Sequence, residues 1–359
     1  MPDADVIPFA SPGDPDRAGG AVGPSKAARL VGNTGPQPAS PTVPPASAGP
    51  AVPAVRARRS TDAPDVPVPV ASEPHEVITD AEIPLDGEGW LEFARRRISG
   101  DYSVDDFGFD PELTDRVLLT LVRPLYRSWF RVETTGLENV PSASGALVVA
   151  NHSGVIALDS VMAQVALHDE HPAHRHLRML GANLVFQTPF MGEVARKAGH
   201  TLACHPDAER LLAAGEIVGV WPEGFKGVGK PFGQRYKLQR FGRGGFVSAA
   251  LRTGAPIIPT AIVGAEEIYP MIGNAKTIAR IFGLPYFPIT PTFPWFGPLG
   301  LIPLPSKWMI HFGEPIRTDH FPEGAADDPM VVFNLTDQVR EQIQQSLYRL
   351  LVKRPSAFG

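Results

Sequence analysis

Cysteine is almost absent from this chain, since Cys204 is the only thiol among 359 residues. A single cysteine excludes an internal disulfide and agrees with a reducing compartment, and we expect it to be a small buried residue. No Gly-x-Ser-x-Gly segment occurs, which disfavours a serine hydrolase of the α/β-hydrolase type. The net charge of −5 gives no overall attraction to nucleic acid, so no nucleic-acid partner is expected.

Long apolar runs are also missing. No stretch reaches the ~18 apolar residues that indicate a transmembrane helix. The first residues, 1–5, are acidic and precede no apolar segment, so no secretory signal is expected. Any membrane association is therefore predicted to be peripheral.

Composition divides the chain into three parts. Residues 1–78 are rich in Pro and Ala and show no apolar periodicity. They cannot bury enough apolar surface to offset roughly 1–2 kcal/mol of backbone entropy per residue, so we predict a disordered tail. Residues 79–130 are predicted to be an N-terminal helical segment, with a helix over 89–98 and another from Pro111 to Phe130. Residues 131–359 are predicted to form the main domain.

Strand and helix patterns alternate through the main domain. Short apolar runs at 145–150, 217–221 and 256–263 are typical of strands buried on both faces. The segments between them have helical character and often end at glycine. Repeated strand–helix units predict an α/β fold with a mostly parallel central sheet flanked by helices.

Two short segments that follow apolar strands carry the candidate chemistry. One contains His152 and Asp159, and the other is Pro222-Glu223-Gly224. A continuous helix would place His152 and Asp159 about 10 Å apart along its axis, so the chain must turn back at Gly154 for them to meet. Asp159 would then orient the imidazole, and His152 would act as general base on another molecule's hydroxyl. The alternative is a loop histidine beside an ordinary acid at a helix start.

Asn151-His152 with a following Asp159 resembles the signature of the glycerolipid acyltransferases, the lysophospholipid acyltransferase superfamily. Most members have four residues between His and Asp, whereas this chain has six and is similar to the branch of monoacylglycerol and diacylglycerol acyltransferases. Pro222-Glu223-Gly224 and segment 256–267 resemble further family segments, so the resemblance covers roughly residues 115–350. It implies the glycerolipid acyltransferase fold, with 131–359 as the acyltransferase domain.

The resemblance also implies an O-acyltransferase that moves a fatty acyl group to a lipid hydroxyl in phospholipid or glycerolipid synthesis. Its donor would be an acyl thioester, either acyl-CoA or an acyl carrier protein, and no cofactor is implied beyond acyl-CoA as co-substrate. In that family the histidine is the base, the aspartate orients it, and the Pro-Glu-Gly segment helps to bind the acceptor. Two alternatives stay open, namely a neutral-lipid or glycolipid acceptor and a non-catalytic lipid-binding protein on the same fold. We expect the protein at the cytoplasmic face of the membrane.

Basic residues concentrate after the Pro-Glu-Gly segment, at Lys226, Lys230, Arg235, Lys237, Arg240 and Arg243. With the nearby glycines they favour binding of the CoA phosphates or an anionic headgroup. The predicted substrate-binding residues are Glu223 and Gly224, as the resemblance implies, together with Asn151, Ser153, Gly154, Lys226, Lys230 and Arg243. The alternatives are a solvated basic loop and a Glu223 that only braces it. Segment 224–230 approaches a nucleotide P-loop, but Pro231 replaces the Mg²⁺-binding hydroxyl residue, so no nucleotide site is predicted.

Two further segments bear on ligands. No charged residue occurs between Arg280 and Lys307, where prolines exclude a spanning helix and Phe293, Trp295 and Phe296 predict a face at the membrane–water interface; a loop that covers the core is the alternative. A histidine-rich patch lies in a polar, irregular segment with no closed set of ligands, so no metal site is predicted there. Its members are His168, Asp169, His171, His174 and His176.

Overall fold

The computed structural model describes residues 87–358. The predicted tail, 1–78, and the beginning of the predicted helical segment lie outside the described residues.

A seven-stranded sheet forms the centre of the described region. Residues 87–358 contain nine strands, seven of which belong to this sheet: β1 Glu133–Thr135, β2 Ala146–Ala150, β3 Leu177–Gly181, β4 Thr201–Leu202, β5 Ile217–Val220, β6 Ile257–Val263, β7 Gly273–Asn274, β8 Pro288–Ile289 and β9 Met309–Phe312. The sheet order is β1-β9-β6-β2-β5-β3-β4, while β7 and β8 form a separate antiparallel pair. Strands β6, β2, β5, β3 and β4 pair in parallel, and β9 pairs antiparallel to β6 but parallel to β1.

Helices connect the strands and cover the sheet. They are α1 Gly87–Ser99, α2 Pro111–Leu113, α3 Leu119–Pro124, α4 Leu158–Glu170, α5 Asn183–Gln187, α6 Met191–Lys197, α7 His205–Ala213, α8 Phe225–Val228, α9 Gly245–Thr253, α10 Lys276–Ile281 and α11 Pro329–Lys353. No helix within residues 87–358 combines the length and the apolar character needed to cross a bilayer.

The hydrophobic core lies in two layers, one on each face of the sheet. Strand β2 is fully buried, and its side chains alternate between the layers because successive residues of a strand point to opposite faces. Val148 packs in the layer that contains α4 and Tyr126, whereas Leu147 packs in the layer that contains α7, α9 and α11. Burial of β2 on both faces explains its continuous apolar sequence and confirms the predicted parallel sheet flanked by helices.

The helical run at 111–129 differs in detail from the predicted regular helix. Two π-helical segments, Thr114–Leu118 and Leu125–Trp129, flank α3. Pro124, the last residue of α3, has no backbone N–H to donate to the preceding turn, and the second π segment begins directly after it.

Candidate active site

The site lies where three neighbouring parallel strands, β6, β2 and β5, reach their carboxyl ends. The segments that leave these strands begin at Asn151, Trp221 and Gly264. Crevices outside the carboxyl ends of parallel strands are the usual ligand sites of open α/β sheets. The two segments singled out by the sequence therefore meet at one edge of the sheet.

Asn151 fixes the chain at the point where it leaves β2. Its side-chain amide donates to the backbone oxygen of Ile262 at 2.9 Å, and its Oδ1 accepts from the Ile262 N–H at 2.8 Å. The side chain is fully buried and continues the β2–β6 pairing by one more residue. Asn151 thus holds the following histidine in place through the sheet.

The chain turns back between His152 and Asp159, as their spacing predicts. Gly154 has φ +79°, a left-handed conformation that L side chains rarely adopt, and an added Cβ would meet the backbone oxygen of Ala265 at 3.0 Å. The turn brings Nδ1 of His152 to 2.8 Å from Oδ2 of Asp159. The predicted contact between the two side chains is present.

Asp159 is fully buried in the first turn of α4. Its Oδ2 also accepts from the Ser153 N–H at 2.9 Å, and its Oδ1 accepts from its neighbour Ser160 N–H at 2.9 Å. A carboxylate is favoured here because the helix N-terminus is positive and backbone N–H groups solvate the charge. Each of its oxygens therefore has a defined partner, which fixes the carboxylate plane against the imidazole.

His152 combines a buried partner with an accessible ring. Its side chain is 15% exposed, whereas that of Asp159 is 0% exposed. With Nδ1 directed at the carboxylate, Nε2 is the ring nitrogen left to exchange a proton with a bound molecule. This arrangement can act as a general base.

Glu223 connects the two predicted segments. Its Oε1 accepts from the backbone N–H of His152 at 2.9 Å, and its Oε2 accepts from the backbone N–H of Gln239 at 2.5 Å. Helix α8 packs directly against the backbone of His152, because a Cβ on Gly227 would lie only 2.7 Å from the His152 backbone oxygen. The buried carboxylate thus ties the His152 segment to the basic loop, which is the bracing geometry that the sequence left as an alternative.

Lys230 is also buried, between two carboxylates. Its Nζ lies 3.5 Å from Oε2 of Glu223 and 3.1 Å from Oε1 of Glu266. Burial raises the pKa of Glu266 to about 7, although Lys230 and the Tyr236 N–H act in the opposite direction. A cavity of about 10 Å³, close to the size of one water, is lined by Lys230 and Glu266 together with Gly154 of the turn between His152 and Asp159.

The remaining predicted substrate-binding residues divide by exposure. Lys226 and Arg243 are exposed, Gly224 stands at the start of α8, and Ser153 is fully buried with its Oγ unpartnered among the described groups. The exposed cations of the basic loop make no ion pair with any described carboxylate; they are Lys226, Arg235, Lys237, Arg240 and Arg243. We call these five residues the positive rim, and Glu223 links the loop that carries them to the His152 segment.

Two residues of the site were not predicted. Glu266 lies three residues beyond the end of β6, and the available signal was a pair of acids, Glu266 and Glu267, shortly after an apolar strand. Tyr286 belongs to the uncharged proline-rich segment, and its hydroxyl donates to the backbone oxygen of Val155 at 2.5 Å. Burial and the nearby Asp159 raise the pKa of Tyr286, so it remains a neutral donor that ties this segment to the turn between His152 and Asp159.

The fold and site are those of an α/β protein that presents a histidine–carboxylate pair at the carboxyl edge of a parallel sheet. Residues 131–263 match the family model named Acyltransferase. The chain is 63% identical over 266 residues to an uncharacterized protein of Mycobacterium tuberculosis (strain H37Rv), which covers 74% of each protein. It is 61% identical over 266 residues to an uncharacterized protein of Mycobacterium leprae, covering 74% of this chain and 72% of that protein.

Two more distant similarities were found. Phytyl ester synthase 2, chloroplastic, of Arabidopsis thaliana is 25% identical over 306 residues, which cover 74% of this chain and 42% of the plant protein. The crystal structure of the 1-acyl-sn-glycerophosphate acyltransferase PlsC of Thermotoga maritima aligns with a TM-score of 0.46 at 17% identity, over 74% of this chain and 90% of that chain.

The chain belongs to the acyltransferase family, within the glycerolipid acyltransferase superfamily. The family predicted from the His-Asp and Pro-Glu-Gly segments is confirmed.

Proposed function

We propose that this acyltransferase moves a fatty acyl group from an acyl thioester, acyl-CoA or an acyl carrier protein, to the hydroxyl of a lipid. The observation that carries the proposal is the 2.8 Å contact between Nδ1 of His152 and the buried carboxylate of Asp159. The pair lies within the segment that matches the family model.

The reaction begins at the free ring nitrogen of His152. Asp159 holds the proton on Nδ1, so Nε2 takes the proton of the acceptor hydroxyl as its oxygen attacks the thioester carbonyl. The tetrahedral intermediate collapses, the carbon–sulfur bond breaks, and the departing thiolate receives the proton from the imidazolium. Asp159 stabilises that imidazolium while it exists. General-base assistance of this kind contributes about 10²–10⁴ in rate.

Direct transfer needs no acyl-enzyme. Ser153, which is next to His152, and Cys204 carry groups that could act as a covalent nucleophile. Both side chains are buried, and neither hydrogen-bonds to His152 in the described structure. A covalent step would require an accessible nucleophile within hydrogen-bond reach of the base. The acceptor oxygen is therefore the nucleophile in this proposal.

The positive rim is the proposed binding surface for phosphate. Lys226 and Arg243 are both exposed. Lys226 lies in α8, which packs against the backbone of His152 at Gly227. Arg243 follows Gly242, whose N–H donates to the backbone oxygen of Pro222 at 3.3 Å. The CoA phosphates or an anionic headgroup would neutralise this charge. We assign Lys230 a positioning role instead, since its charge is engaged by Glu223 and Glu266.

A neutral-lipid acceptor is the second candidate. The six residues between His152 and Asp159 resemble the longer segment of monoacylglycerol and diacylglycerol acyltransferases. The Arabidopsis relative is by name an ester synthase, which agrees with an oxygen acceptor. With a neutral acceptor, the positive rim would serve the donor phosphates.

Peripheral membrane binding, at the cytoplasmic face, completes the proposal. Trp295 is 69% exposed and Phe296 64% exposed in the uncharged segment, and Leu299 is exposed beside them. Such an apolar patch costs free energy in water and is favoured at the headgroup level of a bilayer, where Trp is enriched. The hydrogen bond from Tyr286 to the Val155 oxygen links the same segment to the proposed catalytic turn between His152 and Asp159.

The test is a mass-spectrometric screen of the purified protein with acyl-CoA or acylated carrier protein and a panel of lipid hydroxyls in vesicles. The panel contains lysophosphatidic acid, diacylglycerol, a long-chain alcohol and a glycolipid. We expect one class of ester to accumulate with release of free thiol, and His152→Ala to abolish it. Binding of vesicles without ester from any acceptor or donor would instead favour the lipid-binding protein.

A further inference from the structure

A cluster of two histidines and an aspartate lies at the far end of α4 from Asp159. His168 is in the last turn of α4, His176 precedes β3, and Asp115 is in the π-helical segment of the N-terminal run. One nitrogen or oxygen of each side chain lies within 4.8 Å of the others. We propose that Asp115, His168 and His176 bind a divalent transition-metal ion of the Zn²⁺ class.

The spacing of the donor atoms fits a shared ion. Nε2 of His168 lies 3.2 Å and Nε2 of His176 lies 3.7 Å from Oδ1 of Asp115. Tetrahedral Zn²⁺ with bonds of about 2.0–2.2 Å separates its ligand atoms by about 3.3–3.6 Å. Small side-chain adjustments therefore bring all three atoms to bonding distance of one point.

The directions of the groups agree with this reading. Oδ1 of Asp115 is buried and lies 3.2 Å from Nε2 of His168, but the two groups are not aligned as a well-directed hydrogen bond. In a hydrogen-bonded His–Asp pair the ring N–H points at the oxygen, as in the contact of His152 with Asp159. In a metal site the ring nitrogen and the oxygen instead point at a common centre, which leaves them close but not hydrogen-bonded.

The other nitrogen of His168 has the partner that metal ligands usually have. Its Nδ1 lies 3.2 Å from Oδ1 of Asp169, and Arg123 holds that carboxylate with two contacts of 2.9 and 2.8 Å. A carboxylate on the second ring nitrogen fixes the tautomer and directs Nε2 to the metal. His176 is held edge-on against Phe109, with ring centroids 5.0 Å apart.

The ion would act as a brace and not in the acyl transfer. Helical rise places His168 about 14 Å along α4 from Asp159. The three ligands come from three separate elements, so one ion would fix the N-terminal helical run against α4 and β3. Their side chains retain some exposure, which leaves room for water as the fourth ligand. Sequence pattern alone predicts no metal here because Asp115 is remote from the histidines in the chain.

The experiment uses the full-length protein after removal of metal by a chelator. Zn²⁺ is added in competition with a chromophoric chelator, and Co²⁺ is added separately to record the visible bands of a tetrahedral site. We expect one equivalent of Zn²⁺ to bind, a rise in the melting temperature, and Co²⁺ bands of tetrahedral type. His168→Ala and His176→Ala should each weaken binding by at least about 100-fold, and Asp169→Asn by about 10–100-fold.

His320→Ala is the matched control, because His320 is an exposed histidine beside one carboxylate, Asp319, and belongs to no group of three metal-ligating side chains within residues 87–358. It should bind Zn²⁺ as the unaltered protein does. Circular dichroism of the metal-free variants shows whether they fold, and Asp115→Asn, which keeps the side-chain shape, gives an independent test. Zn²⁺ binding that persists in His168→Ala and Asp115→Asn, or no stoichiometric binding by the folded protein, would overturn the proposal.

Discussion

Replacement of Asp159 by Asn tests the proposed catalytic pair, His152 and Asp159, with the smallest change of shape. The carboxylate accepts hydrogen bonds on both oxygens, from His152 and Ser153 on one side and from Ser160 on the other. Asn has a single acceptor oxygen, so one of the two sides must lose its acceptor. The two orientations of the amide have different consequences, and both impair the enzyme.

If the amide nitrogen faces His152, it donates to Nδ1 and places the imidazole proton on Nε2, where no proton can be accepted. If the oxygen faces His152, the tautomer is kept, but the imidazolium loses its negative partner and the Ser160 N–H meets a donor. We therefore expect kcat to fall about 10²–10⁴-fold. One unsatisfied group at a buried helix start should reduce the free energy of unfolding by about 1–3 kcal/mol.

The assay measures ester formation and thiol release under the conditions found by the screen, together with urea unfolding of each protein. Asp328→Asn is the matched control, because Asp328 also accepts backbone N–H groups at a helix start, from Met330 at 2.8 Å, but has no histidine partner. It should retain wild-type kcat. Unchanged kcat in a folded Asp159→Asn variant would refute the assignment of Asp159 as the group that orients the base.

Two further predictions concern the surroundings of the site. Burial raises the pKa of Glu266 from 4.5 to about 7, so the folded protein binds this proton more tightly than the unfolded chain does. The stabilisation that protonated Glu266 gives should therefore be complete below pH 4.5 and should be lost as the pH rises to about 7. The free energy of unfolding should fall by about 3 kcal/mol over this range in the unaltered protein and not in Glu266→Gln. Urea unfolding at a series of pH values measures both, and an equal pH dependence in the two proteins would contradict the prediction. Replacement of Phe293, Trp295 and Phe296 by Ser should weaken co-sedimentation with anionic vesicles without unfolding the protein, whereas Phe333→Ser, which changes an exposed Phe on α11, should not. Equal sedimentation of both variants would contradict membrane docking by the uncharged segment.

The sheet and the contact between His152 and Asp159 were predictable because local pattern determines them. Buried parallel strands such as β2 require continuous apolar runs, and these are visible in the sequence. The spacing of His152 and Asp159 permits contact only through a turn, and Gly154 marks where it occurs. The antiparallel pairing of β9 with β6 could not be predicted in this way, because it depends on the path of the long segment that precedes β9.

The rest of the site depends on contacts between residues remote in the sequence. The carboxylate of Glu223 accepts backbone hydrogen bonds from one segment that precedes β5 in the chain and from one that follows it. No local sequence pattern predicts which backbone N–H groups a buried carboxylate will contact. Lys230 is predicted to bind substrate because of its basic neighbourhood, but tertiary packing buries it between two acids. Tyr286 reaches Val155 from a proline-rich segment that has no periodicity to reveal its direction.

The most direct test of the central proposal is the turnover of His152→Ala with acyl-CoA and the acceptor identified by the screen. Circular dichroism and urea unfolding establish that the variant is folded, and vesicle co-sedimentation establishes that it still binds lipid. We expect ester formation to fall to the uncatalysed level while both controls remain unchanged, because Nε2 of His152 is the group proposed to take the proton. Near wild-type turnover by the folded variant would contradict general-base acyl transfer at this site.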